Sequence, residues 1–443
     1  MFFQRYYADS IAQASFLIGC SVTGEAVVVD PNRDLGQYLA TAETEGLRIA
    51  AVTETHIHAD YVSGSRELAE LTGATLYLSK EGGSDWQYAY ANEPNVRLIG
   101  NGDEVVIGNV RLQAIHTPGH TPEHLSFLVI DGAATNQPIG ILSGDFIFAG
   151  DVGRPDLLEI AAGFQDTMRK SAITLFKSIE RFKTMPDWLT IWPGHGAGSA
   201  CGKKLGGVPS TTLGYEKIVN FSVRFERESD FVEDVLSGQP EPPKYFARMK
   251  TVNRQGPEPT LGRWSIEQTT PCGQIVDVRS IEEFIEGSLL RAVSIPMNAS
   301  FSKWAGSLLS LDKPIVLVAN NSQQAVEAAK ALVLIGLENL SGWCLPEPAK
   351  KFPLANVNEL LGKTLLDVRS GAEREEEAIP GSIHIPLVYL ADAKNLPTGP
   401  IYVHCASGSR SLVGASYLRS QGVDAVAVQA SFEEIQNAMR VAI

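Results

Sequence analysis

The sequence predicts an α/β protein of three domains, and three observations carry the prediction. Through the first 120 residues, strand and helix patterns alternate, as in layered α/β folds. Residues 236–259 then turn proline-rich, with Gln239-Pro240-Glu241-Pro242-Pro243 and Gly256-Pro257-Glu258-Pro259, which stiffens the chain and withholds ladder donors. Beyond that stretch one block of sequence occurs twice. The domains are therefore expected at 1–250, 260–348 and 355–443.

Residues 25–31 read as a strand closed by Pro31, and residues 35–45 as a helix with Leu35, Leu39 and Ala42 on its apolar side. Residues 49–53 form a short buried strand pattern. They lead into Thr55-His56-Ile57-His58-Ala59-Asp60-Tyr61, then Ser63-Gly64-Ser65 and a helical pattern through Leu68 and Leu71. From 98 to 116 the apolar period shortens toward two, which predicts antiparallel hairpins turning at Gly100-Asn101-Gly102-Asp103 and at Gly108-Asn109. Residues 171–182 form an amphipathic helix, with Ala172, Leu175, Phe176 and Ile179 on the side predicted to cover the sheet.

The loop that carries His56, His58 and Asp60 follows a strand and precedes a helix. Three more polar groups follow apolar runs in the same way: His120 in His-Thr-Pro-Gly-His-Thr, Asp145 in Leu-Ser-Gly-Asp, and His195 in Trp-Pro-Gly-His-Gly. Four such loops at the ends of four strands predict one convergent metal site, because imidazole and carboxylate suit Zn or non-haem Fe.

On these residues the first 250 positions resemble the metallo-β-lactamase superfamily, whose pattern is THxHxDH followed by GHT, GD and GH. The resemblance implies a four-layer αββα sandwich. This chain departs from the dinuclear hydrolases of that family, such as glyoxalase II, at Tyr61, where they carry a histidine for the second metal. A phenol, with an ordinary pKa of about 10, stays neutral at pH 7 and is a poor ligand. What remains is His56, His120 and Asp145, which in the persulfide dioxygenase branch forms the iron site. The resemblance thus implies one Fe(II) per chain, with Zn a possible occupant as purified, and His58, Asp60, Tyr61 and His195 arranged around the ligands. Two histidines and one carboxylate leave positions open for O2 and a substrate.

Arg154, in Gly153-Arg154-Pro155-Asp156, lies in a segment comparable to one that borders the active-site mouth of persulfide dioxygenases. The resemblance offers it to an acidic group of a thiol carrier; an ion pair with Asp151 or Asp156 is the alternative. Cys201 and Lys203, in the glycine-rich loop 196–204, are further candidates for substrate binding, against a packing role for the thiol. Residues 209–216, Pro-Ser-Thr-Thr-Leu-Gly-Tyr-Glu, are similar to those of bacterial persulfide dioxygenases fused to rhodanese domains.

In the repeated block, Asp277-Val278-Arg279-Ser280 recurs as Asp367-Val368-Arg369-Ser370 and Ile295-Pro296 as Ile385-Pro386, both at an offset of 90 (367 − 277; 385 − 295). Each copy resembles a rhodanese domain. The second copy carries Cys405 in His404-Cys405-Ala406-Ser407-Gly408-Ser409-Arg410 at the start of a helix, whose field favours a thiolate or persulfide. Arg410 would bind an oxyanion of sulfite or thiosulfate. At an offset of 86 (405 − 319) the first copy has Ala319 in place of the nucleophile, so it is expected to act as a spacer or docking surface.

A net charge of −14 on 443 residues argues against a nucleic-acid partner, and no apolar run approaches the roughly 20 residues of a membrane span. Five scattered cysteines without a CxxC pair fit free thiols in a reducing compartment, so a cytoplasmic protein is expected, and a homo-oligomer with it. The expected activity is oxidation of a low-molecular-weight thiol persulfide, of glutathione, coenzyme A or an analogue, by O2 to sulfite and free thiol. Sulfur transfer at Cys405 would be coupled to it, forming thiosulfate or loading the carrier. The rivals are a Zn-dependent thioester hydrolase and a non-enzymatic sulfane-sulfur carrier.

Overall fold

The computed structural model describes residues 1–160, 167–260, 266–346 and 350–440. It divides into two compact units, Met1–Gly262 and Arg263–Ile443.

In the first unit, strands buried on both faces set the layering. β1 (Phe2–Ala8), β2 (Gln13–Cys20), β3 (Glu25–Val29), β4 (Arg48–Thr53), β5 (Thr75–Ser79) and β6 (Val96–Ile99) form one sheet in chain order. β7 (Glu104–Ile107), β8 (Val110–His116), β9 (Leu125–Asp131), β10 (Gly140–Gly144), β11 (Thr190–Pro193) and β12 (Thr211–Thr212) form the second. Successive side chains of a strand point to opposite faces. Phe16, Ile18, Val27 and Val29 therefore meet Leu112, Phe127 and Leu142 between the sheets. Their neighbours Leu17, Val28 and Val52 face outward and pack with Tyr38 and Leu68 of the helices Gly36–Thr44 and Ser65–Thr72. On the far side, the helix Met168–Phe182 lays Ala172, Leu175, Ile179 and Phe182 against Ile141 and Ile191. The layers are helix, sheet, sheet, helix, as expected.

One expected hairpin is absent. β6 pairs in parallel with β5, whereas β7 pairs with β8, so the Gly100–Asp103 turn carries the chain from one sheet to the other. The Asp103 carboxylate ties that turn by accepting the Gly100 N–H at 2.8 Å. Of the two expected turns, the one at Gly108 closes a hairpin, with Gly108 at φ +56°.

The unit also continues past residue 250, because the segment after the prolines is bonded into it. Asn253 donates to the carbonyls of His58 (2.7 Å) and Tyr61 (2.8 Å) and accepts from Ser63 N–H, and Thr260 bonds the Glu67 carboxylate. The expected edges at 348 and 443 lie outside the described residues.

The second unit contains both copies. β13 (Gln274–Asp277), β14 (Val293–Ser294), β15 (Ile315–Val318) and β16 (Leu340–Cys344) form a parallel sheet in the order β14-β13-β15-β16. β17 (Leu354–Ala355), β18 (Thr364–Asp367), β19 (Ile383–His384), β20 (Ile401–His404) and β21 (Ala425–Val428) form another in the order β17-β21-β20-β18-β19. The repeated Asp-x-Arg is a buried brace. Arg279 clamps Asp277 through two nitrogens (3.0 and 2.7 Å) and reaches the Gly287 carbonyl, and Arg369 does the same with Asp367 and Glu377.

The two copies touch directly. The helix Ser409–Ser420 packs on β20 and β21 of its own copy and on β14 of the other, where Ser416 Oγ accepts the Ser294 N–H at 3.0 Å. That second wall is why Leu412, Val413, Ala415, Ser416 and Leu418 are all buried around the helix. Replacing Asp277 by Ala strands the Arg279 guanidinium in a buried site. Urea unfolding should register a loss of about 3 kcal/mol, the usual cost of breaking a buried pair; an unchanged midpoint would mean the brace carries no stability.

Candidate metal centre and sulfur-transfer loop

The metal site is assembled by loops at strand ends. His56 follows β4, His120 follows β8, Asp145 follows β10 and His195 follows β11, all buried. One ligand atom each from His56, His120 and Asp145 lies within 4.8 Å of the others. His120 Nε2 stands 3.5 Å from Asp145 Oδ2, and His195 Nε2 lies 3.3 Å from Asp145 Oδ1 and 3.3 Å from Asp60 Oδ2. Asp60, His195 and Cys201 form a second group of the same tightness. Expected only to surround the ligands, Asp60 and His195 can therefore act as donors themselves, with Asp145 touching both groups.

Backbone and outer side chains hold these rings in place. Asp30 accepts the Thr55 N–H (2.7 Å) and hydroxyl (2.9 Å), and the Thr55 oxygen lies 2.9 Å from His56 Nδ1. His120 Nδ1 faces the Arg154 carbonyl at 3.0 Å and His195 Nδ1 the Ala12 carbonyl at 3.0 Å. Each ring thus turns its Nε2 inward. Gly153 is required here, since a Cβ would run into the Asp145 carbonyl. Burial, followed by the neighbouring imidazoles, pushes the His56 pKa well below its ordinary value; burial lowers that of His120 as well. Both are neutral and able to coordinate.

The residues fit a metal ion. His56 Nε2, Asp145 Oδ2 and both Asp60 oxygens are buried without a hydrogen-bond partner, and buried polar atoms are normally paired. Two imidazoles and a carboxylate suit Zn and non-haem Fe alike.

The remaining predicted residues fall differently. Burial opposes charge on His58, but Asp30, 3.2 Å from its Nε2, outweighs it and raises the pKa to about 9. Tyr61 donates to the Asp30 carbonyl at 3.2 Å, and burial lifts its pKa well above 10, so the phenol stays neutral. Arg154 is not available to a substrate. Fully buried, it clamps Asp156 (2.9 and 2.6 Å) and donates to the carbonyls of Ala200 and Pro240, so it braces the loop that carries Cys201. Lys203 is likewise engaged by the Asp234 carboxylate (3.0 Å) and carbonyl (2.6 Å). Cys201 does reach the site. Burial, then Asp145 and Asp60, raises its pKa and keeps it a thiol while those carboxylates are uncompensated.

Three contributors escaped the sequence analysis. Asp30 directly follows β3, as the other site groups follow their strands, and that placement was a usable signal. His124 stacks on His56 with centroids 5.0 Å apart, and its Nε2 accepts the Asp145 N–H at 3.1 Å. It is the third histidine of the 116–124 loop and was legible as such. Glu373 stands three residues past Ser370, the capping-box spacing.

Glu373 changes the account of Arg410. The expected oxyanion binder is held by Glu373 through two bonds of 2.6 and 2.7 Å. Cys405 is buried, and its sulfur accepts the Gly408 N–H at 3.2 Å beside the N-terminus of the helix Ser409–Ser420. Gly408 has φ +92°, which suits only glycine without strain. Burial lowers the pKa of the adjacent His404 to about 4 and keeps it neutral. In the first copy the equivalent loop is closed by its own side chains. The Asn320 N–H donates to Gln324 Oε1 (2.9 Å), the Gln324 N–H to Asn321 Oδ1 (2.9 Å), and Asn320 Nδ2 to Glu283 (2.8 Å).

Residues 10–195 match the metallo-beta-lactamase superfamily, and residues 265–342 and 354–438 match the rhodanese-like domain. A crystal structure of a metallo-beta-lactamase from Staphylococcus aureus subsp. aureus COL superposes with a TM-score of 0.72 at 40% identity, over 78% of this chain and 99% of that one. Among curated proteins, a hydroxyacylglutathione hydrolase of Rhodospirillum rubrum is 27% identical over 41% of this chain and 60% of its own length. The mitochondrial persulfide dioxygenase of Bos taurus is 30% identical over 41% of this chain and 63% of its own. The chain thus spans about three fifths of the length of these two relatives.

The bond from Arg410, ahead of burial, moves Glu373 from 4.5 to about 2. A carboxylate depressed on folding contributes stability above its unfolded value and loses it as pH falls toward the folded one. Between pH 5 and pH 3 the thermal midpoint of the wild-type chain should fall more steeply than that of Glu373→Gln, and parallel curves would refute the pairing.

Proposed function

Because the chain belongs to the metallo-β-lactamase superfamily and carries two rhodanese-like domains behind its metal domain, we propose that it is a persulfide dioxygenase coupled to a sulfurtransferase. The overall reaction balances as RSS⁻ + O2 + H2O → RSH + SO3²⁻ + H⁺. The observation that carries this reading is a three-residue donor set, His56, His120 and Asp145, with a neutral Tyr61 where a further imidazole would be needed for a hydrolytic metal pair. The bovine relative adds support, as does a rhodanese-like copy that retains its cysteine.

A ferrous ion held by His56, His120 and Asp145 would supply open positions for O2 and for the terminal sulfur of the persulfide. The chain's own residues do the rest. Asp30 and Thr55 orient His56, and the Arg154 carbonyl orients His120, so both Nε2 atoms stay inward. Tyr61, a neutral donor beside His58, places no anion next to an incoming persulfide. Cys201, at the site but buried, lines the space near Asp60 and Asp145. In the second copy, sulfite would attack the outer sulfur of a Cys405 persulfide. The S–S bond breaks, thiosulfate leaves, and the Cys405 thiolate remains under the Gly408 N–H. For Arg410 to meet that anion, it must exchange Glu373 for it.

The second donor group, Asp60, His195 and Cys201, is the observation that favours the rival, a Zn thioester hydrolase with two ions, and the hydroxyacylglutathione hydrolases are its relatives. Metal analysis with oxygen uptake separates the two. One iron per chain and O2 consumption on glutathione persulfide are expected, whereas two zinc ions and no uptake would establish the hydrolase.

Asp145→Ala should cost more than about 100-fold in sulfite formation, beyond the usual loss of an outer-shell partner, along with the bound metal, while sulfur transfer at Cys405 persists. Cys405→Ser should spare O2 uptake and shift the product from thiosulfate to sulfite. Equal loss of O2 uptake in that variant would end the division of labour.

A further inference from the structure

The two copies of the repeat differ at a backbone position that sulfur transfer does not use. β13 pairs with β14 at Asp277 and Ser294, and β18 with β19 at Asp367 and His384, so the copies are in register at an offset of 90 (384 − 294). At that offset Arg291 corresponds to Gly381 (381 − 291), and both are left-handed, with φ of +65° and +78°. The turn before this strand demands a conformation that glycine adopts freely and other L residues resist. The second copy meets the demand with glycine. The first keeps an arginine there, against its local preference, and strain retained in this way points to a use for the side chain.

Arg291 lines a cleft of about 510 Å³ between the two copies, with Lys350, Lys351 and Arg419 around it and Phe352 in its wall. Leu290, 85% exposed, stands at the same cleft. Four cations gather here in a chain of net charge −14. Lys351 pairs with Glu286 at 2.9 Å and Arg419 with Asp424 at 3.2 Å, both at the surface. Among the described residues, no ion pair or side-chain hydrogen bond engages Arg291 or Lys350. The cleft is separate from the sulfur-transfer loop: Arg419 lies ten residues along its helix from Ser409 (419 − 409), about 15 Å at 1.5 Å per residue.

We propose that this cleft binds an organic phosphate of the nucleoside diphosphate class. The guanidinium of Arg291 offers a fork that matches phosphate oxygens, and the lysines add point charges. A volume of about 510 Å³ falls in the range of small-molecule sites and exceeds what a bare phosphate fills. Phe352 and Leu290 give the organic part apolar surface. A ligand seated here would touch the segment 288–292 of one copy, the connection 350–353 and the catalytic helix of the other copy together.

Calorimetric titration of the full chain with ADP and with pyrophosphate tests the assignment. ADP should bind one per chain, at least fivefold tighter than pyrophosphate. Arg291→Gly should weaken ADP at least tenfold while leaving the thermal midpoint equal or higher, since glycine suits the turn; Lys350→Ala, which leaves the turn untouched, should weaken it in the same direction. ADP binding no tighter than pyrophosphate, or binding that survives both substitutions because it occurs at the metal centre, would overturn the proposal.

Discussion

Burying His56, His120, His195, Asp60 and Asp145 together takes five polar side chains out of water, and protein groups meet only part of their hydrogen-bonding capacity. Each unpaired buried group costs about 1–3 kcal/mol, more when charged, so such a cluster is stable only when something else supplies the partner. A bound cation would do so, and its charge would offset the repulsion between Asp60 and Asp145. The rest of the first unit is arranged so that these atoms face inward, in two adjoining groups. Strand ends deliver the loops, carbonyls of Ala12 and Arg154 occupy the outward ring nitrogens, and buried Arg154 ties down the loop that brings Cys201 in.

Much of that arrangement was legible because it is local. Each ligand follows an apolar run of strand length, and strand ends on one edge of a sheet converge. What was not legible is what the long side chains do. For Arg154 the alternative read from the sequence, an ion pair with Asp156 two residues on, is the one that forms. Its further partners Ala200 and Pro240, 46 and 86 residues away, and the Asp234 partner of Lys203, 31 residues away, were not visible. Sequence distance hides such pairs. The same is true of the proline-rich segment: proline content marks where ladders stop, but Asn253 binding back to His58 and Tyr61 decides that the segment stays with the metal domain. The Gly100–Asp103 turn misled for a related reason, since a turn signal between two strands says nothing about whether they share a sheet.

The repeat was legible in its brace and its register. Asp277-x-Arg279 and Asp367-x-Arg369 make nearly identical bidentate clamps, and the offset of 90 in sequence reappears as an offset of 90 in strand pairing. The electrostatics around the clamps diverge. Burial raises Asp277 above its ordinary value, whereas at Asp367 burial is overcome by the hydrogen bonds and charge of Arg369, which hold the carboxyl below.

The loss of the nucleophile in the first copy is accompanied by a rebuilt loop, and the two changes belong together. A cradle of backbone N–H groups without a sulfur or an anion would leave donors unpaired. Asn320, Asn321 and Gln324 fill that vacancy from within, capping the following helix and binding Glu283 as Arg410 binds Glu373 in the sister copy. A loop closed in this way has no room to recover sulfur chemistry by one substitution at Ala319, since a cysteine there would meet donors already spent. The first copy contributes elsewhere, in β14 and the wall it gives the helix Ser409–Ser420. That wall explains why the helix is buried along most of its length, its small and hydroxyl residues Ser411, Gly414, Ala415 and Ser416 included.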